Sequence, residues 1–122
     1  MTPTIDLEVV GLRSRASLVA TIDTGFDGYV CLPTETAARA GLELSGEATI
    51  ELADGTQKIE LVFVGRVKFL GETRPVKIFL TQSDEALIGT KLLADCHLTI
   101  DFVSEQVTVT RKSRTGSRKR DR

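Results

Sequence analysis

The residues best suited to chemistry in this 122-residue chain sit in one short stretch, Ala20-Thr21-Ile22-Asp23-Thr24-Gly25-Phe26-Asp27-Gly28. An apolar, β-branched run drives into an acid, a hydroxyl and a glycine, and a second glycine follows, which reads as a strand ending in a sharp structured loop. Such a strand buries Leu18, Ala20 and Ile22 on one face and delivers the Asp23 carboxylate where the backbone leaves the core. A carboxylate held there is partly desolvated, the condition under which acids are recruited for proton transfer. One carboxylate cannot readily be both base and acid at a single bond. Two that share a proton can, because like charges push their titrations apart and the pair titrates as a unit. The chain holds no second Asp-Thr-Gly or Asp-Ser-Gly, so a shared-proton pair requires two copies related by a two-fold axis through the site.

Other chemistries find little support in the residues. His97 is the single histidine and is adjacent to Cys96; neighbours in a strand point to opposite faces, so the two form no dyad. Nothing in the sequence joins His97 to Cys31 as a nucleophilic pair. One histidine and two cysteines specify no metal-ligand cluster, and no phosphate-binding glycine loop is present. Asp101, between Ile100 and Phe102, reads as the solvated face of a strand, and no glycine follows it. The expectation is a site without metal or cofactor.

The elements that must position Asp23 can be read from periodicity. Ile5, Leu7 and Val9 alternate with Asp6, Glu8 and Val10 as a half-buried strand, Gly11 ends it, and residues 16–22 form the next. Residues 29–32 are a short apolar strand. Pro33 then opens a helix through Ala37, Ala38 and Ala40, and Gly41 stops it. Residues 49–52 and 57–64 flank Ala53-Asp54-Gly55-Thr56, and Asp-Gly between strand-like runs is a strong hairpin signal. Strands are expected at residues 66–70 and 75–80, followed by a loop over 81–85 and the apolar step Ala86-Leu87-Ile88-Gly89. A second short helix is expected at 90–95, then strands around Leu98 to Phe102 and around Val107 and Val109. Many short strands with two short helices predict an all-β closed barrel or sandwich.

Composition bounds the rest. At this length, with 41% apolar residues and three prolines, the chain forms one domain with an ordinary core. The amino-terminal residues carry no basic region or apolar stretch suited to export, and no apolar run approaches a membrane span; a cytoplasmic location and no membrane partner are the expectation. Cys31 and Cys96 are then expected as reduced, buried small hydrophobes. The net charge of −1 conceals a division: residues 111–122 carry seven Lys or Arg and one Asp, +6, which leaves −7 for residues 1–110. A tail of this composition, without an apolar residue, is expected to be disordered, with nucleic-acid contact an unlikely partner for want of aromatic residues to stack on bases.

The Asp23-Thr24-Gly25 loop after an apolar strand, together with Leu87-Ile88-Gly89 some sixty residues later, resembles the retropepsin-like aspartic proteases, the single-lobe, homodimeric branch of the pepsin-type enzymes. The likeness runs from about Ile5 to Val109. It implies a protease domain over residues 1–110 of acid-protease fold, acting on peptides or proteins as a homodimeric endopeptidase. Asp23 of each copy would activate a water that attacks the peptide carbonyl, one carboxylate as base and the other, protonated, polarising the oxygen. The resemblance gives Thr24 a hydrogen bond across the two-fold axis and lets substrate approach Gly25. It assigns peptide contacts to Phe26 and Asp27, and to a flap at Ala53, Asp54 and Gly55 that closes over the peptide. Leu87, Ile88 and Gly89 form the step that packs beneath the loop. It also implies that the end strands, Ile5 to Val9 and residues 106–110, interleave with those of the partner. Two departures stand out: Phe26 replaces a small residue and would narrow or reshape the cleft, and the flap lacks the several glycines of viral members. They define a second reading, a retropepsin-like dimerisation or peptide-binding module with weak or no hydrolysis. A third reading is a nucleic-acid-associated protein whose body is a scaffold for the basic tail.

Overall fold

A computed structural model of the protein describes residues 1–112. It contains nine strands and one helix, and six of the strands close on themselves. These are β1 (Thr4–Val10), β2 (Arg15–Ile22), β7 (Ala86–Ile88), β3 (Val30–Pro33), β6 (Glu72–Thr81) and β5 (Gln57–Phe69), with β1 returning to β5 through Glu8–Lys68, Val9–Val67 and Val10–Arg66. The all-β barrel expected from the sequence is therefore present.

The alternation read in the sequence decides which side of each strand is core. Ile22, Ile88, Val30 and Ile78 are register partners across β2, β7, β3 and β6, and all four are buried. Burying each of these side chains contributes about 1.5–3 kcal/mol relative to exposure. Period-two geometry then puts their neighbours Thr21, Leu87, Cys31 and Phe79 on the opposite face, where all four are half-buried. Asp23 continues that second face beyond the end of β2.

The helix α1 (Thr34–Ala40) begins after Pro33 and ends at Gly41 in a left-handed cap. Its last carbonyl, on Ala40, accepts the amides of Arg13 and Ser14 from the β1–β2 turn, which ties the helix to the barrel. The second helix expected at 90–95 is a run of turns instead. Thr90 donates its amide to the Phe26 carbonyl and Lys91 to that of Gly28, which ties the segment to the Asp23 loop, while Leu92 and Leu93 both donate to the Gly89 carbonyl and Cys96 to that of Leu93, so the ladder is no more than one turn long. Fully buried Leu92 anchors it.

The strands expected separately at 57–64 and 66–70 are one strand, β5. Gly65 does not break it, because the space a side chain would take there is filled by Leu42 and Ile78. Its partner β4 (Glu43–Glu51) starts earlier than expected and carries an irregularity between Leu44 and Gly46. Since β6 and β1 pair with β5 only from Phe63 onward, the outer parts of β4 and β5 form a two-stranded arm beyond the barrel.

The last two strands, β8 (Cys96–Asp101) and β9 (Gln106–Arg111), make a separate hairpin. Ile5 to Val9, expected to pair with a partner, lie instead within the barrel along β2, and Glu8 to Val10 also pair with β5. The expected boundary after residue 110 falls inside β9, because Arg111 pairs with Cys96; residues 113–122 of the tail lie outside the described residues. Both cysteines are free and half-buried rather than buried. Among the described residues no helix is long and apolar enough to cross a membrane.

Candidate active site

The Asp23 loop is held from below by backbone. The Asp23 amide donates to the Ile88 carbonyl (2.9 Å), fixing the residue to the end of β7, and the Phe26 amide donates to the Asp23 carbonyl (3.1 Å) to close the turn. Gly25 donates its amide to Asp23 Oδ1 at 2.9 Å. The carboxylate is thus oriented but only half-buried. Thr24 is exposed, and its hydroxyl makes no hydrogen bond among the described residues.

Leu87, Ile88 and Gly89 pass beneath this loop. Gly89 donates to the Tyr29 carbonyl at 3.0 Å, and the Thr90 hydroxyl reaches the Phe26 carbonyl at 3.3 Å and Asp27 Oδ1 at 3.4 Å. A side chain at Gly89 would run into the carbonyls of Gly28 and Phe26. The glycine is needed for this close approach.

Phe26 turns its ring back onto the sheet. It lies where a Cβ on Gly28 or Gly89 would be and meets Phe79 edge-on, with ring centroids 6.3 Å apart at 71°. Phe26, the residue expected to narrow the cleft, is thus half-buried, filling the space left by Gly28 and Gly89 and meeting Phe79 of the groove.

Beside Asp23 the outward row of Thr21, Leu87, Cys31 and Phe79 forms a floor, and the inner face of the β4–β5 arm stands over its far end. A groove of about 370 Å³ runs between Asp27, Tyr29 and Phe79 on one side and Ala48 and Val62 on the other. A second, of about 410 Å³, lies between Leu80 and Thr81 and the arm residues Lys58 and Glu60. Burial, and after it the nearby Glu60 charge, pushes the Cys31 thiol above its usual range, which leaves it a poor nucleophile. The tip residues Ala53, Asp54 and Gly55 are exposed. Their hydrogen bonds are internal to the turn: Leu52 donates to the Thr56 carbonyl, Gly55 to that of Leu52, and Asp54 Oδ1 accepts both the amide (3.0 Å) and the hydroxyl (2.7 Å) of Thr56. The tip residues are thus not joined to Asp23 by any hydrogen bond among the described residues.

One contact at this site had no local signal. The Thr21 hydroxyl, two residues before Asp23 on the same face, donates to Glu85 Oε2 at 2.7 Å across 64 positions of sequence.

Solved structures settle the fold. The protease of equine infectious anaemia virus (EIAV), in complex with the inhibitor HBY-793, matches with TM-score 0.61 and 18% identity over 78% of this chain and 88% of that one. The chain has the retropepsin-like fold. The simian foamy virus (mac) protease matches it with TM-score 0.57 and 18% identity, over 75% of this chain and 91% of that one. The retroviral protease-like domain of Ddi1 from Leishmania major gives TM-score 0.55 and 16% identity over 89% and 88%. No protein-family model and no curated protein matches the sequence. At these identities the likeness is one of fold, and the retropepsin-like frame places the Asp23 loop at the end of its strand β2.

Proposed function

We propose that the protein is an aspartic endopeptidase working as a homodimer, with Asp23 of each subunit forming one shared-proton dyad. The observation that carries this reading is the Asp23 loop: an oriented, half-buried carboxylate at the end of a barrel strand, with Asp27 of the same loop lining a groove beneath the two-stranded arm. One Asp23 carboxylate takes a proton from the attacking water while the partner subunit's Asp23, protonated, donates to the carbonyl oxygen; as the C–N bond breaks the first carboxyl passes the proton it took to the leaving amine and the second takes its proton back from the gem-diol hydroxyl, which restores the shared-proton pair. The Gly25 amide orients the carboxylate, and Thr24, whose hydroxyl makes no hydrogen bond among the described residues, braces the two loops across the axis. The arm closes over the peptide and excludes water.

The β8–β9 hairpin supplies the dimer contact in this scheme, since among the described residues its strands pair only with each other and keep their outer edges for a second copy. The protease body then extends through Lys112, with the remaining basic tail outside it, and the site of action is the cytoplasm. An inactive binding module is placed second, because the Phe26 ring that argued for obstruction packs against Gly28, Gly89 and Phe79.

Cleavage of a diverse peptide mixture by the parent protein and by an Asp23→Asn variant, both confirmed as dimers, between about pH 4 and pH 7, tests the reading. New termini are expected only with the parent and preferentially below neutrality. Equal cleavage by both proteins, or none by either, contradicts it.

A further inference from the structure

Glu85 lies on the cleft face but has no part in the chemistry described above. Its carboxylate is held by the Thr21 hydroxyl at 2.7 Å, and Thr21 precedes Asp23 by two positions on one strand face, a spacing of about 6.6 Å between backbones. That is close to the step from one peptide residue to the next on the same side of an extended substrate. Among the described residues no cation lies in ion-pair contact with Glu85. Lys77 and Lys91 line the groove beyond Phe79, at the other end of the row that starts with Thr21. The Thr21 end of that row thus presents an oriented anion with no ion-pair partner among the described residues, held to the strand that runs into Asp23.

We propose that Glu85 sets the substrate preference of this site, selecting peptides with lysine or arginine beside the scissile bond. This rests on the endopeptidase reading and deepens it. Because the axis repeats the floor on both sides of the bond, each subunit contributes one Glu85, and a bond flanked by two basic residues fits best. The ammonium or guanidinium group meets a carboxylate already oriented by Thr21, so little side-chain ordering accompanies binding. Sequences of this kind occur in the chain itself, at Arg118-Lys119-Arg120.

The experiment measures binding and cutting separately. Fluorescent peptides identical except for a central Lys-Lys, Leu-Leu or Glu-Glu pair are titrated by anisotropy against the Asp23→Asn dimer, and the same peptides are offered to the parent for hydrolysis. The Lys-Lys peptide is expected to bind about fivefold more tightly than Leu-Leu at low salt, with Glu-Glu weakest and the preference shrinking as salt is raised. Adding Glu85→Gln to the Asp23→Asn protein should abolish the difference between Lys-Lys and Leu-Leu, and Glu85→Lys should invert the order toward Glu-Glu. Glu85 is exposed, so both variants are expected to melt with the parent. Equal binding of the three peptides, or an order unchanged by Glu85→Gln, overturns the proposal. Should the parent cut all three alike, the specificity inference fails while the endopeptidase reading stands; should the parent cut none while Lys-Lys still binds preferentially through Glu85, the endopeptidase reading fails and the role of Glu85 in peptide selection survives.

Discussion

The β4–β5 arm and the β8–β9 hairpin are both antiparallel ribbons of two strands, yet they are attached to the barrel by different means. The arm is joined through the continuation of β5 and the start of β4 at Glu43, and its tip is stabilised by bonds within the turn. The β8–β9 hairpin is pinned at its base by Arg111. The guanidinium donates to both oxygens of Asp95 at 3.3 and 3.1 Å and to the Phe69 carbonyl at 3.1 Å, and it pairs with Glu72 at 3.4 Å. The Lys112 amide adds a bond to the Asp95 carbonyl, and Cys96 and Val109 pack on the core. A ribbon free to swing suits a flap, whereas one locked in orientation suits a surface that must meet its own copy in register.

The sharpest way to break this contrast is to remove the pin. Arg111→Ala is expected to destabilise the fold by about 2 kcal/mol, the scale of one hydrogen bond to a charged group, because the contacts share a single, partly exposed guanidinium and do not add. Chemical denaturation measures the loss. Hydrogen exchange should show it concentrated in β8 and β9, with the arm unchanged; loss spread evenly over both ribbons would erase the contrast.

A pH titration sharpens the same point. Burial pushes the Asp95 carboxyl up, but hydrogen bonding and the charge of Arg111, with smaller contributions from its own backbone and Cys96, outweigh it and hold the pKa below the usual range. A carboxyl depressed in the folded state contributes stability above its unfolded pKa, about 3.9, and loses it as pH falls through the lower folded value. Hairpin protection should therefore weaken below about pH 4 in the parent. In Arg111→Ala that acid-dependent step should be largely missing.

The smallest effects belong to the arm. Gly55 at the tip has φ of +88°, so Gly55→Ala is expected to cost about 1 kcal/mol, read as faster exchange confined to the arm. Asp54→Ala removes the acceptor of both Thr56 bonds, whose presence holds the Asp54 carboxyl below its usual range; it should speed exchange at the tip while leaving the thermal midpoint of the barrel in place. A large drop in that midpoint for either variant would mean the arm is a structural part of the barrel.

Local pattern carried the barrel strands, the helix after Pro33 and the Asp-Gly hairpin, because alternation, caps and turn chemistry act over a few residues. What it missed depends on distant partners. Lys91-Leu92-Leu93-Ala94 reads as helix, but Lys91 is bound to the Gly28 carbonyl of the Asp23 loop, and the Leu92 and Leu93 amides make only a single turn onto Gly89. Arg111 looks like the first residue of a basic tail, and only the folded chain brings Asp95, Phe69 and Glu72 to it. Phe26 reads as an obstruction until Gly28 and Gly89 provide the space that its ring fills. Thr21 and Glu85 meet across parallel strands with nothing in either neighbourhood to announce it. Asp23 itself was legible because its signal, an apolar strand running into Asp-Thr-Gly, is contiguous.

The central claim, one site built by two Asp23 side chains, is tested most directly by subunit mixing. A fixed amount of parent protein is exchanged with increasing Asp23→Asn protein and its peptidase rate followed. A shared dyad predicts that the rate falls to about one half with an equal amount of variant and about one quarter with a threefold excess, because only parent homodimers hold two carboxylates. A rate that stays constant however much variant is added would contradict the account.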